Sequence, residues 1–215
     1  MHELICLDNN SPEIIYLCNK DKRLAKVISM VGPISYQVHN DDYAFLVHEI
    51  IEQMLSIKAG TKIYERLVFL CDGNISPSSV NKLSDSDIRS TGTSTPKVSY
   101  IRALTDAVMD GRISFEDYRS MSDQEVIRSL TSIKGIGLWS AKMYLIFVLN
   151  RQDILPYEDS AFLQSFCWMH KTTDRSKHAV EEKCRKWKPY STIAARYMYR
   201  ALDMGLTKQE FHLFK

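Results

Sequence analysis

Two glycines stand two residues apart within an otherwise helical segment, LTSIKGIGLWSAKMYLIF at residues 130–147. A glycine inside a helix costs about 1 kcal/mol relative to alanine, so Gly135 and Gly137 predict a turn between two helices. Glycine leaves backbone N–H groups uncovered, and at a helix start these groups and the helix dipole favour an anion. The pair therefore predicts a phosphate-binding nest, to which Lys134 can add an ionic contact. A close-packed corner between two helices is the alternative interpretation.

The sequence around this turn predicts helices almost throughout. Apolar residues recur at helical spacing, and a Ser-x-x-Glu capping box at Ser122 marks one helix start. Gly32 and Gly111 mark two helix ends. The expected helices nearest to the candidate residues cover 123–131, 138–149, 160–170, 176–187 and 190–204. Because no alternating strand pattern and no internal repeat is found, we expect a mostly or wholly α-helical fold.

Composition excludes several classes of protein. The chain has 215 residues, of which 45% are hydrophobic and 25% charged, with a net charge of +2, as in ordinary globular proteins. No stretch approaches about 20 apolar residues, so no membrane span is expected. The first residues lack a basic region followed by an apolar run, so we expect no secretory signal and a cytoplasmic protein. Basic residues concentrate between 171 and 200, which we interpret as a solvated helix face.

Neither the cysteines nor the histidines predict a metal site. The five cysteines form no C-x-x-C pair, and we expect them to be reduced thiols. Two cysteines in the C-terminal part are too few for an iron–sulfur cluster. The segment HEIIE at 48–52 nearly matches the zinc-protease helix motif, but it ends in Glu52 rather than histidine. We therefore interpret it as a plain helix face.

The turn and the loop beyond its second helix resemble the helix-hairpin-helix DNA glycosylase superfamily. IKGIGLWSAKMYLIF followed by DILPYEDSAF is most similar to the alkylpurine branch, the DNA-3-methyladenine glycosylase II type. That branch has L-x-G-I-G-x-W-[ST]-A and then D-x-[FL]-P-x-x-D, and the 22 positions from Gly137 to Asp159 are its usual spacing. FLVHEIIEQMLSIKAGTKIYERL resembles the family's upstream helix pair, and WKPYSTIAARYMYRALD resembles its C-terminal helix.

The resemblance implies an all-α, two-lobed helical fold with a DNA-binding helix-hairpin-helix. The expected parts are a central lobe over 45–155, with the hairpin at 123–149, and a second lobe made of 1–44 and 156–215. The residues expected at the DNA backbone are Lys134, Gly135, Ile136 and Gly137. Contacts of this kind position a protein on DNA without reading its sequence.

Asp159 is the catalytic residue that the resemblance implies. Cleavage between a base and deoxyribose passes through an oxocarbenium-like state, which a carboxylate near C1′ stabilises while it orients or deprotonates water. Asp159 also directly precedes an expected helix, and a capping role is compatible with catalysis because a cap is fixed in space. Glu158 is the competing carboxylate. No cofactor and no catalytic metal is implied, although a structural monovalent cation at the hairpin carbonyls is common in the family.

Trp139 carries two further implications of the resemblance. Relatives that also cut the DNA backbone have a lysine at this position, so no Schiff base is expected and the enzyme is monofunctional. Trp139 lines the base pocket in the family, and indole is a good surface for a cationic alkylated base. Tyr199 and Met143 are the other pocket candidates, and ordinary core packing is the alternative for all three. Lys142 is expected at the surface or at a phosphate.

A flipped base leaves a gap in the duplex that an apolar wedge can fill. The family places its wedge after the glutamine of the upstream motif, which makes Gln53, Met54 and Leu55 the candidates here. Lysines near these segments are expected to contact phosphates and to make the affinity salt-dependent. They are Lys58, Lys97 and Lys134.

The function that follows is a DNA N-glycosylase of base excision repair, which removes alkylated purines of the 3-methyladenine type and leaves an abasic site. Its expected partner is double-stranded DNA that contains damaged bases. We expect a monomer in the cytoplasm, associated with the nucleoid if the source is bacterial. The alternatives are a glycosylase for 8-oxoguanine or hypoxanthine, a non-catalytic helix-hairpin-helix DNA-binding module, and a helical scaffold protein.

Overall fold

A computed structural model describes residues 4–214, so residues 1–3, which belong to the segment examined for a secretory signal, lie outside the described part. The chain divides into two units. The central unit comprises residues 39–149, and the terminal unit comprises residues 4–38 and 150–214 of the described chain. The sequence-based boundaries were expected six residues later in each case, at 44/45 and 155/156.

The elements in chain order are β1 (Leu4–Leu7), α1 (Pro12–Lys20), α2 (Lys22–Val31), β2 (Ile34–Gln37), α3 (Asp42–Glu52), α4 (Ile57–Leu70), α5 (Pro77–Lys82), α6 (Asp85–Ser90), α7 (Thr95–Met109), α8 (Phe115–Tyr118), α9 (Asp123–Thr131), α10 (Leu138–Phe147), α11 (Ser160–His170), α12 (Lys177–Cys184) and α13 (Ser191–Asp203). Two short 3-10 turns cover Arg185–Trp187 and Leu206–Lys208. The helical fold class expected from the sequence is confirmed. The strand pair β1–β2, antiparallel with Leu4 opposite Gln37 and Leu7 opposite Ile34, was not expected.

The terminal unit packs α1, α2, α11 and α13 around one apolar core. Trp187 and Phe162 lie fully buried in that core, with their rings edge to face at 6.3 Å between centroids. The guanidinium of Arg196 on α13 lies 3.7 Å from the ring centroid of Tyr36 on β2, which ties the strand pair to the helical core.

Asp21 is a charged group inside this core, with 1% of its surface exposed. Its carboxylate caps α2 by accepting the N–H groups of Arg23 and Leu24, and it also accepts the indole N–H of Trp187 at 2.9 Å. Lys186 Nζ lies 3.2 Å from the same carboxylate. Burial raises the pKa of Asp21, but the hydrogen bonds from Trp187 and Lys186 outweigh it and leave the pKa below its ordinary value.

The central unit is built around α10, which packs against α3 and α9. Seven consecutive residues of α10, from 140 to 146, are buried, so this stretch of the helix has no solvated face. The hydroxyl of Tyr144 on α10 donates a hydrogen bond to Asp42 at the start of α3. Asp41 caps α3 through the N–H of Ala44, and the expected capping box of α9 between Ser122 and Glu125 is present.

Hydrogen bonds explain why the boundaries of the units differ from those expected. The N–H of His39 donates to the carbonyl of Phe147, so the chain before α3 belongs to the central unit. After α10, Thr192 on α13 accepts the N–H of Ile154 and donates to the carbonyl of Arg151. The segment 150–155 therefore belongs to the terminal unit. Within residues 4–214, no helix is long and apolar enough to span a bilayer.

Substitution of Asp21 by asparagine tests its role in the terminal core. We expect Asp21→Asn to lower the free energy of unfolding by about 2 kcal/mol at pH 7, because the indole of Trp187 and the ammonium of Lys186 lose a charged acceptor. The folded pKa of Asp21 lies below the unfolded one, so its contribution is present above about pH 4 and disappears as the pH falls through the folded value. Urea unfolding at several pH values measures both effects. Asp203→Asn at an exposed position is the control, and an equal loss in that variant would contradict the assignment.

Candidate active site and nucleic-acid interface

The turn between α9 and α10 places its first glycine where no other residue fits. Gly135 has φ of +93°, a backbone conformation that side chains with a β-carbon rarely adopt. A β-carbon at this position would also collide with the ring of Tyr100 on α7. The close-packing interpretation therefore holds for Gly135.

Gly137 behaves differently from Gly135. It is the N-cap of α10 with φ of −94° and ψ of 177°, an extended conformation open to any residue, so the backbone of Gly137 does not require glycine. Within the described chain, no atom lies within 4 Å of a β-carbon built at this position. Gly137 makes no side-chain cap, so no side chain at this position competes with an anion for the start of α10.

Two neighbours of the glycines were also expected at the DNA backbone. Ile136 is buried, and its N–H donates to the carbonyl of Ile133 at 3.1 Å, so Ile136 is not available as a phosphate donor. The ammonium of Lys134 lies 5.9 Å from the centroid of the Tyr100 ring and its side chain is exposed, which leaves it able to approach a phosphate.

Gln53 supports the turn from the protein interior. It is the C-cap of α3, and its Nε2 donates to the carbonyl of Gly135 at 2.9 Å and to Ser140 Oγ at 3.4 Å. Because its amide is bonded to the turn, Gln53 supports the turn and is not available to enter DNA as a wedge. Lys97 Nζ in turn donates to the carbonyls of Ile51 and Gln53, at 2.7 and 2.6 Å.

The expectation that Lys97 contacts a phosphate was therefore wrong, because its ammonium binds the carbonyl groups at the end of α3. Desolvation lowers the pKa of this ammonium, as expected for a cation that sits among carbonyl groups. Its position at the C-terminus of α3 complements the negative end of that helix dipole. Lys58, by contrast, is exposed near the start of α4 and stays a candidate phosphate contact.

Met54 and Leu55 form the turn directly after Gln53. Met54 is fully exposed, at 101% of its reference surface, and has φ of +59°, while Leu55 is 42% exposed. An apolar side chain held in a left-handed conformation in full contact with solvent costs about 1 kcal/mol or more. Beside the pair lies a cavity of about 420 Å³, whose lining includes Tyr100, Pro96 and Lys97.

The pocket candidates on α10 lie at the start of the helix. Trp139 is partly exposed, and Met143, one turn further on, is only 4% exposed. Lys142 is 7% exposed, so the expectation that it lies at the surface or contacts a phosphate was wrong. The reason is that residues 140–146 of α10 are all buried, which the sequence of this helix alone does not show.

Asp159 lies in the terminal unit at the start of α11. Its Oδ1 accepts the N–H of Phe162 at 2.7 Å, its own N–H donates to the carbonyl of Pro156, and it is 9% exposed. The expected capping role is therefore confirmed. The dipole of α11 favours negative charge at this position, and the cap holds the carboxylate in one orientation.

Tyr199 belongs to the same neighbourhood. It is partly buried on α13, and its ring meets that of Phe162 edge to face at 6.5 Å between centroids. Phe162 thus contacts both candidates, since its N–H holds Asp159 and its ring packs on Tyr199. Tyr100 and Ser140, which support the glycine turn, were not predicted from the sequence. The only available signal was the three-residue spacing of Lys97 and Tyr100, which places both on one face of α7.

A glycine N-cap at the start of α10, a glycine turn packed against Tyr100 and an exposed apolar side chain after Gln53 are features of a protein that binds a nucleic-acid backbone. The family described as HhH-GPD superfamily base excision DNA repair protein matches residues 47–189. A crystal structure of DNA-3-methyladenine glycosidase from Bacillus halodurans is 30% identical, with a TM-score of 0.86 and coverage of 97% of each chain. The chain belongs to the HhH-GPD superfamily of base excision DNA repair proteins.

Two further relatives come from Schizosaccharomyces pombe. The structure of its 3-methyladenine DNA glycosylase in complex with abasic DNA is 26% identical, has a TM-score of 0.83, and covers 90% of this chain and 97% of that chain. Its protein named DNA-3-methyladenine glycosylase 1 is 28% identical over 188 residues, which are 86% of this chain and 82% of the yeast protein.

The substitution Gly137→Ser separates the anion nest from the stability of the turn. Serine is a favoured N-cap and fits the dihedral angles of Gly137, so we expect unchanged thermal stability. Its hydroxyl would take the N–H groups that a phosphate needs, and we expect duplex DNA affinity to fall by about tenfold, or 1.4 kcal/mol. Fluorescence anisotropy with labelled duplex and a thermal melt measure the two effects.

Gly135→Ala is the matched comparison for Gly137→Ser. It places a β-carbon into the Tyr100 ring at a positive φ, so both stability and DNA affinity should fall. If Gly137→Ser binds DNA as tightly as the unsubstituted protein, the helix start of α10 does not hold a phosphate.

Proposed function

We propose that this chain is a monofunctional DNA glycosylase that hydrolyses the N-glycosidic bond of flipped-out alkylated purines, of the 3-methyladenine type, and leaves an abasic site. The observation that carries the proposal is the fixed carboxylate of Asp159, nearly buried and held by the N–H of Phe162. The relatives support the choice of substrate, since those from Bacillus halodurans and Schizosaccharomyces pombe are named for 3-methyladenine, and the yeast structure holds abasic DNA, the product of this reaction.

The proposed reaction breaks the bond between C1′ of deoxyribose and the ring nitrogen of the base. The electron pair leaves with the base, and positive charge develops on C1′ and the ring oxygen of the sugar. The carboxylate of Asp159 stabilises that charge, and it orients the water that attacks C1′ and accepts its proton. An alkylated purine is already cationic and departs as a neutral base, so the reaction requires no general acid.

Base selection in this proposal rests on aromatic surfaces. Trp139 presents an indole that is partly exposed at the start of α10, and a cationic base stacks on indole better than a neutral one does. Tyr199 contributes a second ring. Met143 stands where some relatives have tyrosine, and because it is buried we assign it to the floor of the pocket rather than to a stacking surface. Because Trp139 replaces the lysine of bifunctional relatives, the product strand stays uncut.

The proposed grip on DNA uses the backbone around Gly135 and Gly137. The start of α10 binds one phosphate through its helix dipole and backbone, and Lys134 adds a charge beside it. Met54 enters the gap that the flipped base leaves, with Leu55 beside it. The strained conformation of Met54 supports this assignment, because a left-handed methionine in solvent has no stabilising contact of its own.

The proposal includes the remaining properties expected from the sequence. The substrate is double-stranded DNA with a damaged base, and the enzyme acts as a monomer in the cytoplasm, associated with the nucleoid in a bacterium. The chemistry uses no cofactor and no catalytic metal, and a structural monovalent cation binds the carbonyls of the hairpin.

The decisive test is Asp159→Asn, because asparagine also caps helices well and the substitution removes the charge while keeping the fold. We expect the release of free 3-methyladenine from methylated duplex to fall by at least about a hundredfold, since the charge on C1′ loses its stabilising partner. Binding to a duplex with an abasic site should remain. Single-turnover assays and anisotropy measure the two quantities.

Glu158→Gln is the matched control for Asp159→Asn and should keep full activity. If Asp159→Asn stays active and Glu158→Gln does not, the neighbouring glutamate carries the chemistry. The same assay with hypoxanthine and 8-oxoguanine duplexes distinguishes the alkylpurine enzyme from the two other glycosylases considered. No release from any duplex by the unsubstituted protein would identify a non-catalytic DNA-binding module.

The wedge assignment is tested by Met54→Gly. Glycine adopts the positive φ without strain, which offsets its larger unfolded-state entropy, so we expect stability to be kept. Without the thioether side chain, excision from duplex should fall by about tenfold, while excision from single-stranded DNA, which has no stack to fill, should be unchanged. Phe69→Ala, at a side chain 81% exposed on α4, serves as the control. Equal losses on both substrates would show that Met54 is not a wedge.

A further inference from the structure

We propose that His48, Glu49 and Glu52 on α3 bind a divalent transition-metal ion of the zinc class. One ligand atom from each of the three side chains lies within 4.8 Å of the other two. His48 Nε2 lies 3.4 Å from Glu52 Oε1, and the two side chains are 31% and 23% exposed. These separations are short enough for one ion to contact all three groups after small side-chain rotations.

The donor set suits such an ion chemically. Zinc accepts imidazole nitrogen and carboxylate oxygen as ligands, and nitrogen donors favour it over magnesium or calcium. A neutral imidazole with two carboxylates balances the charge of a divalent ion. Three protein ligands leave at least one position for water, so we expect an accessible, exchangeable site.

The neighbouring helix α4 fixes two of these ligands from outside. A β-carbon at Gly60 would lie 2.6 Å from Glu52 Cγ, so a glycine is required there for the stem of Glu52 to pass. One turn further on, the ring of Tyr64 meets the imidazole of His48 edge to face, at 4.5 Å between centroids. Gly60 and Tyr64 therefore lie on the same face of α4 and hold Glu52 and His48 toward each other.

A helix-interior glycine costs about 1 kcal/mol relative to alanine. The glycine at position 60 leaves room for the Glu52 side chain, whose carboxylate can then lie beside the imidazole of His48. Contacts of this kind outside a metal site orient its ligands. The segment HEIIE by itself indicated a plain helix face. The two supporting contacts come from Gly60 and Tyr64 on α4, and the sequence of α3 does not reveal them.

The proposed site adjoins the DNA-binding region but has no part in the chemistry proposed above. Glu52 is the last residue of α3, and the next residue is Gln53, whose amide holds the carbonyl of Gly135. A bound ion would link two successive turns of α3 and stabilise the helix end that supports the hairpin. We therefore expect the ion to raise the thermal stability of the protein.

The experiment is a zinc titration of untagged, chelator-treated protein, followed by competition with a chromophoric indicator and by thermal melts. It uses the Cys6→Ser background, since the exposed thiol of Cys6 is a competing ligand. We expect one zinc ion per chain and a higher melting temperature with zinc. His48→Gln and Glu52→Gln should each weaken binding by at least about tenfold and abolish the thermal shift.

Two sets of variants make the result specific. His178→Gln and Glu65→Gln, at exposed positions on other helices, should bind zinc as the background protein does. Gly60→Ala should weaken binding by about tenfold, because the methyl group displaces Glu52 without removing any ligand. Absence of stoichiometric binding, or binding that persists in both His48→Gln and Glu52→Gln, would overturn the proposal. Glycosylase activity is not a readout, so failure here leaves the proposed function intact.

Discussion

The hydrogen bond from Gln53 Nε2 to the carbonyl of Gly135 is the contact on which the DNA-binding region depends. A turn that offers its outer side to a ligand has to be supported by residues on its opposite side. Gln53 supplies it at the carbonyl, and Tyr100 supplies it beneath the α-carbon. Residues of α7 and of the end of α3 therefore support the glycine turn, whose own sequence explains only why the chain can bend there.

Helix α7 links this support to the apolar side chain expected to enter DNA. Lys97 and Tyr100 lie three residues apart on α7, and therefore on one face. Lys97 fixes the carbonyl of Gln53, the residue before Met54, while Tyr100 supports Gly135. One helical face thus supports both the glycine turn and the segment that carries the exposed methionine, and a change in α7 would affect both.

Features that depend on residues close together in the sequence could be predicted, whereas contacts between distant segments could not. The capping box at Ser122 and the cap at Asp159 were found because capping depends on residues only three positions apart. The strands β1 and β2 were missed because each has only four residues, and the residues that pair between them are far apart in the sequence, as Leu4 and Gln37 are. The end of α3 at Glu52 likewise depends on a distant residue, because Lys97 on α7 donates to the carbonyls of Ile51 and Gln53.

Charged residues show the same limit. Lys97 and Lys142 looked like phosphate contacts because lysine is usually exposed, yet one is bonded to carbonyls and the other is buried on α10. The burial of these two lysines depends on how whole helices pack together, and the spacing of apolar residues along α7 or α10 does not indicate it. For Asp159 the family pattern and the cap agreed, so position and chemistry could both be inferred.

The corrected roles of the two lysines change the picture of how the central unit attracts DNA. Lys97 is bonded to carbonyls and Lys142 is buried, which leaves Lys134, Lys58 and the dipole at the start of α10 as the candidate phosphate contacts. Backbone dipoles act within about one helical turn and carry no net charge, so they position a phosphate without strengthening long-range attraction. The net charge of +2 adds little long-range attraction for DNA, so the proposed grip on the backbone depends on short-range contacts at the turn.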